Sequence, residues 1–286
     1  MNYRHAFHAG NHADVLKHVA LLAMVDALQR KDSPFFVLDT HAGRGRYLLQ
    51  GEAASRTAEA VSGILSLGAP DGAPPAVARY LRAVAADNPV GTILAYPGSP
   101  LLVAQAMRAQ DRLAACELQA EEAEALKTLF ARDPRVAVHA RDGYAAVRAL
   151  LPPKVDGVRY ARGLVLIDPP YEAQDAEYPQ VAEATADILQ RWPQASVAIW
   201  YPIKQRRSLQ PFFRSLEKLP ARSLLLAELL VRPDNSPLRL NGSGMAIFNP
   251  PWKLDQALAP VLPFLQKTLG EAGASTRLEW LKREAA

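Results

Sequence analysis

Four short apolar runs constrain what this chain can fold into: Phe35-Phe36-Val37-Leu38, Leu113-Ala114-Ala115-Cys116, Val136-Ala137-Val138-His139 and Gly163-Leu164-Val165-Leu166-Ile167. Each is followed directly or within three residues by an acid, in turn Asp39, Glu117, Asp142 and Asp168. Runs of this length between turn residues read as buried strands rather than helices. Further strand candidates occupy residues 196–200, 224–231 and 244–248, with helical patterns near 178–191, 207–216 and 254–269. Strands alternating with helices predict a wound α/β sheet. The 286 residues suffice for one large domain with an insertion, and no second domain is evident.

Ligands of open α/β sheets bind beyond the carboxyl ends of the parallel strands, which makes the strand-end acids candidate binding residues. After Asp39, the loop Thr40-His41-Ala42-Gly43-Arg44-Gly45-Arg46 has glycines that allow a sharp turn and close approach to a ligand. Asp39 is placed to meet polar groups of that ligand. Glu117 suits a pair of ribose hydroxyls, the role of a strand-end acid in dinucleotide folds. Asp142 suits an adenine amino group, with Gly143 beside it.

The turn Asp168-Pro169-Pro170-Tyr171 is a place to hold a planar amino group. The prolines fix φ and remove two backbone donors. Asp168 and the Pro169 carbonyl then accept the two protons of an exocyclic NH2, while the Tyr171 ring offers a stacking surface. The pattern resembles the Asp/Asn/Ser-Pro-Pro-aromatic signature of S-adenosylmethionine-dependent amino-methyltransferases acting on adenine N6, cytosine N4 or glutamine N5. The loop at residues 40–46 looks like methyltransferase motif I. Together they imply a Rossmann-like methyltransferase sheet with S-adenosylmethionine as methyl donor and no metal. Asn249-Pro250-Pro251-Trp252 repeats the signature, but after a strand expected to run antiparallel, so it reads as a rigid corner leading into the final helix.

A dinucleotide fold places its ribose acid about 20 residues beyond the glycine loop, and Glu117 comes far later. Residues 51–96 fill the gap and read as a small helical subdomain, with helical patterns at 55–67 and 75–86. Ser99 then stands at a helix N-terminus, where its hydroxyl and backbone donors are available to a carboxylate. At the N-terminus, His5, His8, His12 and His18 crowd together with Tyr3, Arg4 and Phe7. No cysteine or paired acid completes a tetrahedral metal site, so residues 1–18 read as a recognition motif of rings and cations, with Asn11 capping a helix that carries Asp14, Lys17 and His18.

The segments Tyr3-Arg-His-Ala-Phe-His-Ala-Gly-Asn-His-Ala-Asp-Val-Leu-Lys-His18, Leu38-Asp-Thr-His-Ala-Gly43, Tyr96-Pro-Gly-Ser-Pro100, Ile167-Asp-Pro-Pro-Tyr-Glu172 and Asn249-Pro-Pro-Trp-Lys253 resemble the RlmJ family, bacterial 23S ribosomal RNA adenine-N6 methyltransferases. The resemblance implies cofactor contact by His18, His41, Ser99, Glu117, Asp142, Gly143 and Asp168. It also makes Asp168 catalytic and brings Tyr3 to the RNA. Arg44, between the loop glycines, departs from the small residue expected in relatives.

A net charge of +4 fits an RNA partner without demanding one. Arg44, Arg46, Lys204, Arg206 and Arg207 are the local candidates for phosphate contact. No apolar span or cleavable signal is evident, and a single cysteine fits the cytoplasm. The other readings are a DNA adenine-N6 or cytosine-N4 methyltransferase, a protein-glutamine methyltransferase, and a non-catalytic RNA-binding assembly factor.

Overall fold

The computed structural model describes residues 9–49, 60–68, 72–171, 174–237 and 240–283. Its strands are β1 (Phe36–Asp39), β2 (Arg46–Leu48), β3 (Ala95–Pro97), β4 (Arg112–Glu117), β5 (Val136–Ala140), β6 (Lys154–Val155), β7 (Val158–Arg159), β8 (Gly163–Ile167), β9 (Ser196–Ile203), β10 (Leu224–Leu230), β11 (Gly242–Phe248) and β12 (Ser275–Lys282). Eight form the central sheet in the order β12-β10-β11-β9-β8-β1-β4-β5. From β5 to β9 every neighbouring pair is parallel. β11 runs antiparallel to both β9 and β10, and β12 runs antiparallel to β10. Strand order reverses at β1: the chain first winds outward through β4 and β5, then returns to add β8 on the other side. That reversal opens a crevice beyond the carboxyl ends of β1 and β8.

The runs of β1, β4 and β8 form strands with both faces buried, whereas β5, at the sheet edge, is only partly covered. Val37 of β1 and Leu164 and Leu166 of β8 belong to one core, while Phe36, Leu38, Val165 and Ile167 belong to the other. The first core is filled by helix α1 (His12–Gln29), whose residues 12–25 are all buried. Buried over most of its length, α1 is inserted between the sheet and the helices Pro75–Ala86 and Ser99–Ala106. Asn11 caps it as expected, its Oδ1 accepting from the amides of Ala13 at 2.9 Å and Asp14 at 3.1 Å. Burial of the residues around His12, Asp14, Lys17 and His18 therefore carries the motif into the interior.

The segment 51–96 follows β2 and closes on β3, and these two strands pair as a ribbon with Tyr47 opposite Tyr96. Its helix Pro75–Ala86 buries Val77, Tyr80, Ala83 and Val84. Of the pattern at 55–67, Ile64–Leu67 forms a single turn and residues 55–59 lie outside the described residues. One expectation is corrected. The helical pattern at 254–269 divides into Leu254–Leu258 and Val261–Leu269, because Pro260 has no N–H to continue the first helix. Asn249 leads into this last helical stretch, and strand β12 follows it. Ser275–Lys282 opens with three polar residues and alternates only over Arg277–Trp280, and its half-buried edge position weakens the signal further.

Candidate active site

The crevice is a cavity of about 560 Å³, within the usual size of a small-molecule site. Its wall includes His18, His41, Ser99, Glu117, Asp142, Gly143, Asp168, Pro169 and Tyr171. Residues spread over some 150 positions in sequence thus meet at one place, because the strand ends do. Tyr3 lies outside the described residues.

Asp168 is held by a residue that sequence reasoning did not single out for the site. Lys17 Nζ lies 2.5 Å from Asp168 Oδ2 and 2.7 Å from Asp14 Oδ1, with its own side chain 4% exposed. Burial opposes the ammonium charge, but Asp14 and Asp168 outweigh it and raise the Lys17 pKa above the usual lysine value. Asp14 also accepts from the Gly10 amide at 2.9 Å. Lys17 Nζ sits 5.9 Å from the centre of the Trp200 ring, a cation over an aromatic face. Asp168 Oδ1 has no hydrogen bond among the described residues. The Tyr171 hydroxyl donates to the Trp200 carbonyl at 2.7 Å, which fixes the turn's ring against β9.

Across the cavity, Glu117 Oε2 accepts from the Gly43 amide at 2.9 Å and Oε1 from the Gln119 amide at 2.7 Å. Burial pushes its pKa up, against the pull of those amides. Gly43 has φ +60, a conformation that favours glycine, and a Cβ there would lie 2.1 Å from Tyr47 Oη and force that side chain to shift. Asp142 caps the helix Gly143–Leu150, its Oδ1 accepting from the Ala145 amide at 2.7 Å. A Cβ on Gly143 would come within 1.9 Å of the Thr40 carbonyl, so only glycine lets this helix meet the loop after β1.

His41 is neutral and of defined tautomer. Thr40 Oγ1 donates its one proton to the Leu166 carbonyl at 2.9 Å. The 2.8 Å contact between Thr40 Oγ1 and His41 Nδ1 therefore has Nδ1–H as donor. Burial lowers the His41 pKa to about 4, against the opposing pull of Asp168 and Asp142. Its ring packs edge-on to Tyr144 at 5.1 Å, and the Tyr144 hydroxyl is bonded to Glu177.

Several sequence expectations are corrected. Asp39 is fully buried and does not line the cavity; it supports the wall from behind, accepting from Ser99 Oγ at 2.6 Å and the His41 amide at 3.3 Å. The Ser99 hydroxyl is therefore committed to Asp39. Arg44 is held by both oxygens of Glu122 at 2.8 and 2.7 Å, Arg46 by Asp87, and Arg206 by the buried Glu228 at 2.9 Å. Of the five basic candidates only Lys204 lines the cavity, at its exposed rim. Asn249 has φ +45 and bonds the Arg222 amide and the Pro193 and Ala195 carbonyls, a structural corner on the far side of the sheet from Asp168. Among the described residues no group of three His, Cys, Asp or Glu could hold a metal ion, and no helix is long and apolar enough to cross a membrane.

A parallel sheet with a reversal at β1, acids at the ends of β4, β5 and β8, and an Asp-Pro-Pro-Tyr turn facing a glycine loop define a Rossmann-like methyltransferase. The family model described as "Ribosomal RNA large subunit methyltransferase D, RlmJ" matches residues 32–282, and the chain belongs to that family. It is 41% identical over 286 residues to "Ribosomal RNA large subunit methyltransferase J" of Haemophilus influenzae, covering 99% of this chain and 100% of the relative. The Escherichia coli K12 protein of the same name is 40% identical over 285 residues, with 99% and 100% coverage. A Legionella pneumophila crystal structure superposes with a TM-score of 0.85 at 32% identity, covering 95% of this chain and 98% of that one.

Proposed function

We propose that this enzyme methylates N6 of one adenine in 23S ribosomal RNA, with S-adenosylmethionine as methyl donor. The observation that carries the reading is Asp168: Lys17 occupies Oδ2, leaving Oδ1 as the carboxylate acceptor at the mouth of the Asp-Pro-Pro-Tyr turn.

The wall fits this donor better than a dinucleotide. A pyrophosphate needs free loop amides, but the Gly43 amide already donates to Glu117. Among the described residues the wall has six acids against two lysines, Lys17 and Lys204, a balance suited to a cationic ligand without phosphates. Glu117 and Asp142 would hold the nucleoside part, with His18, His41, Ser99 and Gly143 along the same wall. When bound, the donor supplies an electrophilic methyl group on a sulfonium.

The protein's own part is orientation. The adenine N6 lone pair is delocalised into the ring. Acceptance of its two protons by Asp168 Oδ1 and the Pro169 carbonyl draws the nitrogen toward tetrahedral geometry. As positive charge develops on N6, Asp168 stabilises it and receives the departing proton. Lys17 holds the carboxylate in place, and the Tyr171 ring offers the stacking face. The base must leave its stack at a cost of a few kcal/mol, smaller for an unpaired nucleotide. In this reading Tyr3, at the start of the 1–18 motif, meets the RNA while the buried Lys17 and His18 serve the cavity wall; residues 51–96 are a subdomain inserted in a single domain, and the enzyme works in the cytoplasm.

The test is transfer of labelled methyl from S-adenosylmethionine to 23S rRNA from cells lacking this enzyme, with duplex DNA and Asp168→Ala protein in parallel. N6-methyladenosine in RNA alone, lost in Asp168→Ala, is expected. Transfer to DNA alone would refute the substrate, and transfer by Asp168→Ala at the wild-type rate would refute the role of Asp168.

A further inference from the structure

His18 is connected to the inserted segment by a buried line of hydroxyls. Its Nδ1 lies 2.7 Å from Tyr96 Oη, and the two rings stack with centroids 5.6 Å apart. Tyr96 Oη in turn lies 2.9 Å from Tyr80 Oη. Tyr96 is on β3 and Tyr80 on the helix Pro75–Ala86. His18 is 1% exposed and both tyrosines 0%.

Each hydroxyl has one proton, so the direction of the line can be counted. If Nδ1–H donated to Tyr96, Tyr96 would donate to Tyr80, and the Tyr80 proton would have no acceptor among the described residues. A buried donor left that way bears its full desolvation cost. If Tyr80 donates to Tyr96 and Tyr96 to Nδ1, both protons are used, and the first bond strengthens the second. An accepting Nδ1 carries no proton, which puts the ring's proton on Nε2.

We propose that Tyr96, oriented by Tyr80, is a positioning residue that holds His18 as the Nε2–H tautomer and thereby makes the inserted segment part of the methyl-donor site. This rests on the reading that His18 touches the methyl donor. A ring with its proton on Nε2 recognises an acceptor there, the chemistry of the donor's carboxylate. A ring protonated on Nδ1 would present a lone pair and repel it.

Tyr96→Phe and Tyr80→Phe keep both rings and remove one hydroxyl each. In full-length protein isotope-labelled on its histidine nitrogens, long-range proton–nitrogen spectra distinguish protonated from bare ring nitrogens, and a His18→Asn difference spectrum assigns the signal. The expected result is a bare Nδ1 on His18 in the unaltered protein and a mixture of tautomers in Tyr96→Phe. The Kd for S-adenosylmethionine should rise by about three- to tenfold in Tyr96→Phe and less in Tyr80→Phe, the worth of one buried hydrogen bond. kcat at saturating methyl donor should stay unchanged, and thermal unfolding should remain cooperative. A protonated Nδ1 in the unaltered protein, or an unchanged Kd in a folded Tyr96→Phe, overturns the proposal. Unchanged Kd in His18→Asn removes the underlying contact instead, and the spectra then report on the hydroxyl line alone.

Discussion

Replacing Lys17 with methionine deletes the ammonium that neutralises Asp14 and Asp168 while keeping most of the stem's volume. Lys17 is 4% exposed, Asp14 3% and Asp168 13%, so two attractive contacts of 2.7 and 2.5 Å give way to two carboxylates sharing a nearly dry site. Breaking a buried pair by removing one partner costs about 3–5 kcal/mol. Asp14 keeps the Gly10 amide, and Asp168 borders the cavity, where water can reach it, so the expected loss is near the lower end, about 3 kcal/mol. The sign of the pH dependence follows from Lys17: its pKa is raised above 10.5, so the wild-type stabilisation is fully present below that value and flat through neutral and mildly acid pH. In Lys17→Met the crowded carboxylates take up a proton as pH falls, and the loss should shrink toward roughly pH 5. Urea unfolding at roughly pH 8 and pH 5, repeated in an Asp168→Asn background, measures both effects. With one carboxylate gone, the cost of Lys17→Met should fall by about 1–2 kcal/mol. A loss below about 1 kcal/mol near pH 8 with no coupling to Asp168→Asn would refute the reasoning.

Asp39 gives a second pH signature: burial pushes its pKa to about 7, against hydrogen bonds from Ser99 and the His41 amide. A carboxyl raised above its unfolded value of 3.8 favours the fold only while protonated, so its contribution is lost as pH rises from 3.8 to about 7. Asp39→Asn should gain stability relative to wild type across that window, by at most about 4 kcal/mol, and a pH-independent difference in unfolding free energy would count against it. Gly143→Ala sets a Cβ 1.9 Å from the Thr40 carbonyl, backbone against backbone. It should cost about 3 kcal/mol and weaken S-adenosylmethionine binding at least tenfold by calorimetry, roughly the penalty of overpacking a rigid contact. Lys204→Ala should weaken RNA binding and lower the salt slope of its affinity by about one, whereas Arg44→Ala, already paired with Glu122, should leave that slope unchanged in filter-binding titrations.

Local sequence was enough for the elements whose burial comes from the strand run itself. β1, β4, β5 and β8 fall on the four apolar runs, each followed closely by its acid, and the helix Pro75–Ala86 matches its pattern. The order of those acids placed Glu117, Asp142 and Asp168 around one cavity, because winding a parallel sheet brings successive carboxyl ends to the same edge. Sequence alone misjudged groups whose partners lie far along the chain. Arg44, Arg46 and Arg206 read as free cations, but their ion pairs with Glu122, Asp87 and Glu228 come from other elements. Asp39 shared its strand-end position with Glu117, yet the helix Ser99–Ala106 closed over it. Lys17 lies 151 positions from Asp168, and no local pattern reports that an internal helix will bring an ammonium to the Asp-Pro-Pro-Tyr turn. Hydrophobic period and turn chemistry act over a few residues and so determined the strands, the loop and the turn. Desolvation and ion pairing depend on what packs across the sheet, and only the tertiary structure decided which charges face the cavity and which hold its wall.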